Sequence, residues 1–309
     1  MDDDELNVTY IILDGYVEMD KYRYLYFLIM FTLYILIICS NSTIVYLIWI
    51  HKNLHEPMYI FIAALLLNSV LYSTAIYPKL LIDFLSEKQV ISYSACLFQF
   101  FLFYFFGTTE FFLLSAMSYD RYVSICKPLQ YPNIMTRTNV SMFLVIAWLI
   151  PAGHIAVPAI LTAETKLCDL NLKGIFCNNA IYDLHCVKSR SISIFGAVIL
   201  LDLVAFPLLF IVFTYTRILI ITYRCSREVR KKAAETCLPH LLVMIVFSIL
   251  CAYEGIIVRV VPNFPRTERF LMTLQIILYH PLFNPFIYGL KMKEIFKHLK
   301  RLFCPAKLI

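Results

Sequence analysis

Between Ala95 and Tyr119 the chain carries a single acidic or basic side chain, Glu110. At ~1.5 Å per residue, a helix of that length crosses the ~30 Å hydrocarbon core of a bilayer. No water is present there to bond exposed amides, so the run must close its hydrogen bonds within a helix. Six similar runs accompany it: Tyr24 to Ile50, Tyr59 to Leu85, Val140 to Leu161, Ile192 to Tyr223, Thr236 to Val261 and Phe270 to Leu290. Hydrophobic residues make up 61% of the 309, above the roughly one half of a soluble domain. The expected fold is an all-α membrane protein, a seven-transmembrane helix bundle.

Charge orients that bundle. Asp2, Asp3, Asp4, Glu5, Asp14, Glu18 and Asp20 fill the first twenty residues without a base. Arg224, Arg227, Arg230, Lys231 and Lys232 lie between spans five and six, and Lys291, Lys293, Lys297, Lys300, Arg301 and Lys307 crowd the tail. The positive-inside rule then puts residues 1–23 outside, 24–290 in the membrane and 291–309 in the cytoplasm. Seven crossings, an odd number, require the same opposition of the two ends. A multi-pass plasma-membrane protein is expected, with lipid and no nucleic acid as partner. The first span is expected to do the targeting, since the acidic start has no short apolar region with a small-residue cleavage site.

Asn7-Val8-Thr9 is an acceptor pattern for glycosylation on the outer side, whereas Asn41-Ser42-Thr43 falls inside a span and is discounted. After span seven, Met292, Ile295, Phe296, Leu299, Leu302 and Phe303 interleave with lysines. At helical period they give one apolar and one basic stripe, the pattern of a short amphipathic helix lying in the membrane surface. Cys304 beyond it is open to reversible lipidation or to remaining a reduced thiol.

Four of the ten cysteines, Cys96, Cys168, Cys177 and Cys186, fall on the oxidising side, where disulfides form. Four cysteines allow three pairings, and spacing does not choose among them. At the other end of span three, Asp120 and Arg121 are followed by Tyr122, Lys127 and the helix-stopping Pro128. An arginine near the bilayer needs a partner, which Asp120 supplies. In span seven, Pro285 frees a backbone carbonyl and bends the helix, with Asn284 beside it to help satisfy that carbonyl.

The segment Met117-Ser118-Tyr119-Asp120-Arg121-Tyr122-Val123-Ser124-Ile125-Cys126-Lys127-Pro128 resembles the Asp-Arg-Tyr motif of class A G-protein-coupled receptors, in the longer form carried by olfactory receptors. Leu54-His55-Glu56-Pro57-Met58-Tyr59 resembles the first inner loop of that family. Lys232-Ala233-Ala234-Glu235-Thr236-Cys237-Leu238-Pro239-His240 resembles its signature entering span six, and Pro281-Leu282-Phe283-Asn284-Pro285 the one in span seven. The wording is most similar to fish-type olfactory receptors, and the resemblance covers nearly the whole chain. It implies Cys96–Cys177 and Cys168–Cys186 disulfides. It implies a heterotrimeric G protein of the stimulatory olfactory type, hence cyclic AMP, with Asp120, Arg121, Tyr122, Tyr215, Asn284, Pro285 and Tyr288 in coupling and activation.

Two departures stand out: Ser69 beside Asn68 occupies the place of the usual span-two acid, and Glu235 and Pro239 replace small hydroxyl residues. Glu110 is a substitute acid, eleven residues before Arg121 and roughly 16 Å along the same face. It is either protonated or paired with a cation; the resemblance implies sodium, the one cofactor expected.

For the ligand, Phe103, Tyr104, Gly107 and Thr108 lie toward the outer half of span three, with helix packing as the competing reading. Arg259 near the outer end of span six either reaches water or turns inward to hold a carboxylate. His154 and Asp202 are intramembrane polar groups that pair with each other, or Asp202 meets an amine. The expected ligand is a small polar odorant, amino-acid-like zwitterions included. Alternatives are a non-olfactory class A receptor for another small ligand or peptide, and an ion-coupled transporter or channel using Glu110, Asp202 and His154 as a relay. No internal pseudo-symmetry favours the transporter, and no nucleophile, base and orienting group form a catalytic motif, so the chain is not expected to be an enzyme.

Overall fold

The computed structural model describes residues 9–187, 189–252 and 265–303. Asn7, Arg259 and Cys304 lie outside them. Seven helices are long and apolar enough to cross a bilayer: α1 Met19–Ile50, α2 Pro57–Leu85, α3 Tyr93–Cys126, α4 Arg137–Ala163, α5 Arg190–Tyr223, α6 Arg227–Ala252 and α7 Arg266–Lys291. A shorter helix, α8 Lys293–Phe303, follows. Local sequence sets their starts. Pro57 opens α2, where its missing N–H is no loss. Ser92 and Thr136 cap α3 and α4 by accepting from the backbone N–H of Ala95 and Asn139.

Most helices outrun the apolar runs that announce them. The clearest case is α6, which starts at Arg227 rather than at Thr236, because its Arg, Lys, Ala and Glu residues are strong helix formers in water as well as in lipid. Within α5, Leu200–Ala205 forms a π-helical segment. Pro207 lies just beyond it, with no N–H to donate and a ring that crowds the carbonyl of residue 203, so the ladder shifts register there.

The expected all-α architecture holds for the bundle, but a small sheet covers one end. Its central strand, β1 Tyr10–Leu13, pairs antiparallel with β2 Val90–Ser92 and parallel with β3 Asn171–Leu172. Tyr16, just after β1, is buried with its hydroxyl 3.1 Å from both Asp83 Oδ2 and the Ile175 carbonyl. Burial and the Asp83 charge hold its phenol well above the ordinary range, so it keeps its proton as a donor. Lys79 pairs with Asp83, and Arg266 with Asp14 at 2.9 Å.

The interior divides into two apolar clusters. One, toward the sheet, includes Tyr77, Phe84, Phe100, Phe103, Phe106, Phe176 and Ile277. The other, toward Arg121, includes Leu66, Phe111, Leu114, Met117, Tyr215, Phe247 and Tyr288. Asn41, Ser69, Glu110 and Asn284 are fully or almost fully buried, each between the last residue of one cluster and the first of the other on its helix. A polar layer therefore crosses the bundle at mid-height.

Candidate functional site

The cross-links form as the resemblance implies: Cys96–Cys177, with Cα atoms 5.3 Å apart, and Cys168–Cys186 at 4.8 Å. The first fastens the loop after α4 to the head of α3. Two polar contacts extend that attachment, since the Cys177 N–H donates to Gln99 Oε1 and the Asn179 N–H to Tyr104 Oη, both at 3.0 Å. Phe176 packs on Phe103 with ring centroids 4.7 Å apart. The loop is thus a fixed lid.

Beneath it lies a cavity of about 340 Å³. From α3 come Phe100, Phe103, Tyr104, Gly107, Thr108 and Phe111; α5 contributes Gly196, Leu200 and Val204, α6 Phe247 and Ser248, and the lid Asn179 and Tyr182. All four α3 residues singled out for the ligand are therefore in its wall. The Thr108 hydroxyl is turned to its own helix, donating to the Tyr104 carbonyl at 2.7 Å. No charged side chain lines the cavity among the described residues.

His154 and Asp202 do not line it. They face each other, with His154 Nε2 3.6 Å from Asp202 Oδ2 and side chains 35% and 57% exposed, on the outside of the bundle between α4 and α5. Helical phase explains the correction. Ile155 and Pro158 turn one face of α4 to the cavity, and Leu200 and Val204 one face of α5. His154 is a residue, about 100°, off the first, and Asp202 sits midway between the second pair on the opposite side.

The polar layer joins α2, α3 and α7. Asn284 Nδ2 donates to Ser69 Oγ at 3.0 Å and to Glu110 Oε1 at 3.3 Å. The carbonyl that Pro285 leaves without a donor, that of Pro281, is satisfied by Asn41 Nδ2 at 2.9 Å rather than by Asn284 as expected. The replacement comes from α1, a helix that sequence distance alone does not connect to α7.

At the far end of α3, Asp120 is fully buried. Its Oδ2 accepts from Arg121 Nε at 3.0 Å and also from Arg121 Nη2, and its Oδ1 from Tyr131 Oη at 2.8 Å. Tyr131, in a helical turn after α3, was not singled out from sequence; the need of the second carboxylate oxygen for a donor is the signal that points to such a group. Burial and the neighbouring Asp120 charge raise the Tyr131 phenol above its ordinary range, so the O–H remains a donor. Tyr215 is hydrogen-bonded to His240 of α6, and Tyr288 is completely buried. Tyr122 is half-buried, its ring beside that of Tyr119.

Known proteins match this arrangement along most of its length. The family model described as olfactory receptor matches residues 30–306. Mouse (Mus musculus) olfactory receptor 4B13 is 34% identical over 94% of this chain and 94% of its own. Human (Homo sapiens) olfactory receptor 11H2 is 34% identical over 90% and 86%. Among solved structures, squid rhodopsin superposes with a TM-score of 0.72 at 17% identity, over 93% of this chain and 86% of that one; this likeness concerns the fold. The chain belongs to the olfactory receptor family, as a multi-pass receptor of the plasma membrane.

Proposed function

We propose that a small odorant enters the cavity beneath the disulfide-tied lid and, by binding one form of the bundle more tightly, shifts it toward a form that engages a heterotrimeric G protein at the Arg121 end. One observation carries the reading: α3 supplies six cavity residues and, fourteen residues beyond Gly107, the buried Arg121–Asp120 pair. A single rigid element of about 20 Å therefore touches both sites. In this reading the lid faces outward and the basic link between α5 and α6 faces the cytoplasm, as the positive-inside rule requires. Arg121, Tyr122, Tyr215 and Tyr288 receive the G protein, of the stimulatory olfactory type that raises cyclic AMP. The basic stripe of α8 rests against anionic lipid.

Sodium fits the polar layer. Glu110 and Ser69 bring a carboxylate and a hydroxyl next to Asn284, hard oxygen donors of the kind such a cation takes. Glu110 and Ser69, with Asn284 beside them, would hold the ion, whose positive charge would let Glu110 stay ionised in the resting form.

The test is cyclic AMP in cells expressing the chain with a stimulatory G protein and exposed to pooled odorants. A response abolished by Arg121→Ala, in protein that reaches the surface, is expected. Replacing sodium by choline should raise the basal signal of the parent and leave that of Glu110→Gln unmoved. Silence from well-expressed protein across several G proteins would overturn the coupling.

A further inference from the structure

The cavity wall contains two glycines inside helices, Gly107 on α3 and Gly196 on α5. A Cβ built at either one meets nothing within 4 Å. Glycine in a helix interior is less stable than alanine there, and neither position needs it for close approach. The space left by both belongs to the cavity.

The one α6 hydroxyl in the wall among the described residues is equally unusual. Ser69, Ser73 and Ser115 each donate to the carbonyl four residues earlier in their helices, at 2.8 to 3.1 Å. Ser248 Oγ is buried and makes no such bond, nor any other among the described residues. Asn179 Oδ1, in the lid, is likewise buried without a partner. A polar atom left in that state costs free energy that a ligand can recover. Apart from Thr108, Cys251 and the tyrosine hydroxyls, the rest of the described wall is aromatic and aliphatic, surroundings in which a charge is costly.

We infer that the ligand is a neutral, largely apolar odorant with one oxygen: its body fills the room kept open by Gly107 and Gly196, and its oxygen is bonded by Ser248. This rests on the odorant-binding reading above and narrows it away from zwitterions. Gly107 and Gly196 set the length accepted, and Ser248 sets the requirement for oxygen.

The test uses the full chain purified in lipid nanodiscs, its unfolding midpoint measured with straight-chain primary alcohols of increasing length and with carboxylates and amines of the same lengths. Alcohols are expected to raise the midpoint up to a limiting length. Gly107→Ala and Gly196→Ala should shorten that limit while raising the midpoint of the empty protein, which separates a filled cavity from a damaged fold. Ser248→Ala should weaken alcohol binding by roughly three- to tenfold, the contribution of one neutral hydrogen bond, and Ser248→Thr should retain it. Stabilisation by carboxylates or amines in place of alcohols, or an unchanged length limit in both glycine variants, overturns the inference. A cyclic AMP response that depends on Arg121, in protein that alcohols fail to stabilise, sinks this inference and leaves the receptor reading intact; alcohol binding without any response does the reverse.

Discussion

Asp120 divides its two oxygens between a cation and a phenol, and this division sets how firmly Arg121 is held. With Tyr131→Phe the ring and its packing persist while the 2.8 Å bond to Oδ1 is lost. A hydrogen bond to a charged group is worth about 1.5–3 kcal/mol, so if that bond belongs to the resting form alone, basal cyclic AMP should rise at least several-fold at equal surface expression. An unchanged basal signal would show that Tyr131 stays bonded in both forms. The Asp-Arg pair itself is legible in the sequence because a fixed charge pair ends an apolar run. Tyr131 is not, because the chain reverses between the two residues. His154 and Asp202 are legible as a mutual pair but their place outside the cavity is not, since polarity inside a span demands a partner without saying on which face it lies.

At the scale of elements, α6 and α8 meet through Lys293 and Glu235, 2.9 Å apart at the Arg121 end. Glu235 belongs, with Pro239, to one of the two departures from the resembled wording, and the ion pair gives it a role: it ties the near end of α6 to α8. If α6 swings outward on activation, the pair must part. Glu235→Ala is therefore expected to raise basal cyclic AMP by about two- to fivefold, the modest scale of an exposed ion pair, and high salt should mimic it in isolated membranes. A lowered basal signal would mean that the pair belongs to the active form. The seven spans were readable from hydropathy to within a turn or two at most ends. The π-helical segment of α5 was not, although Pro207 marked where the ladder had to yield. Apolar periodicity predicts that a helix exists and is silent on how its register relaxes.

Across the whole molecule, two apolar clusters, a polar layer and a disulfide-tied lid are held under a three-stranded sheet. Hydropathy foretold the bundle, but Tyr10-Ile11-Ile12-Leu13, apolar as it is, is too short a run to announce a central strand. Its placement depends on edges supplied from segments some eighty and one hundred and sixty residues later. Gly15 shows how closely that strap lies: a Cβ there would sit 2.4 Å from the Gly174 carbonyl carbon. Gly15→Ala should destabilise the purified protein by about 1–3 kcal/mol, as overpacking does, seen as a lower unfolding midpoint and less receptor at the surface. An unaltered midpoint would mean that the strap adds nothing to the fold. The order of synthesis gives the same sheet another significance. β1 is made first, yet it finds neither neighbour until residues 90–92, and then 171–172, have followed it to the same side of the membrane. The sheet is thus completed only in a chain whose first four helices have all been threaded so that its three strands meet on one side.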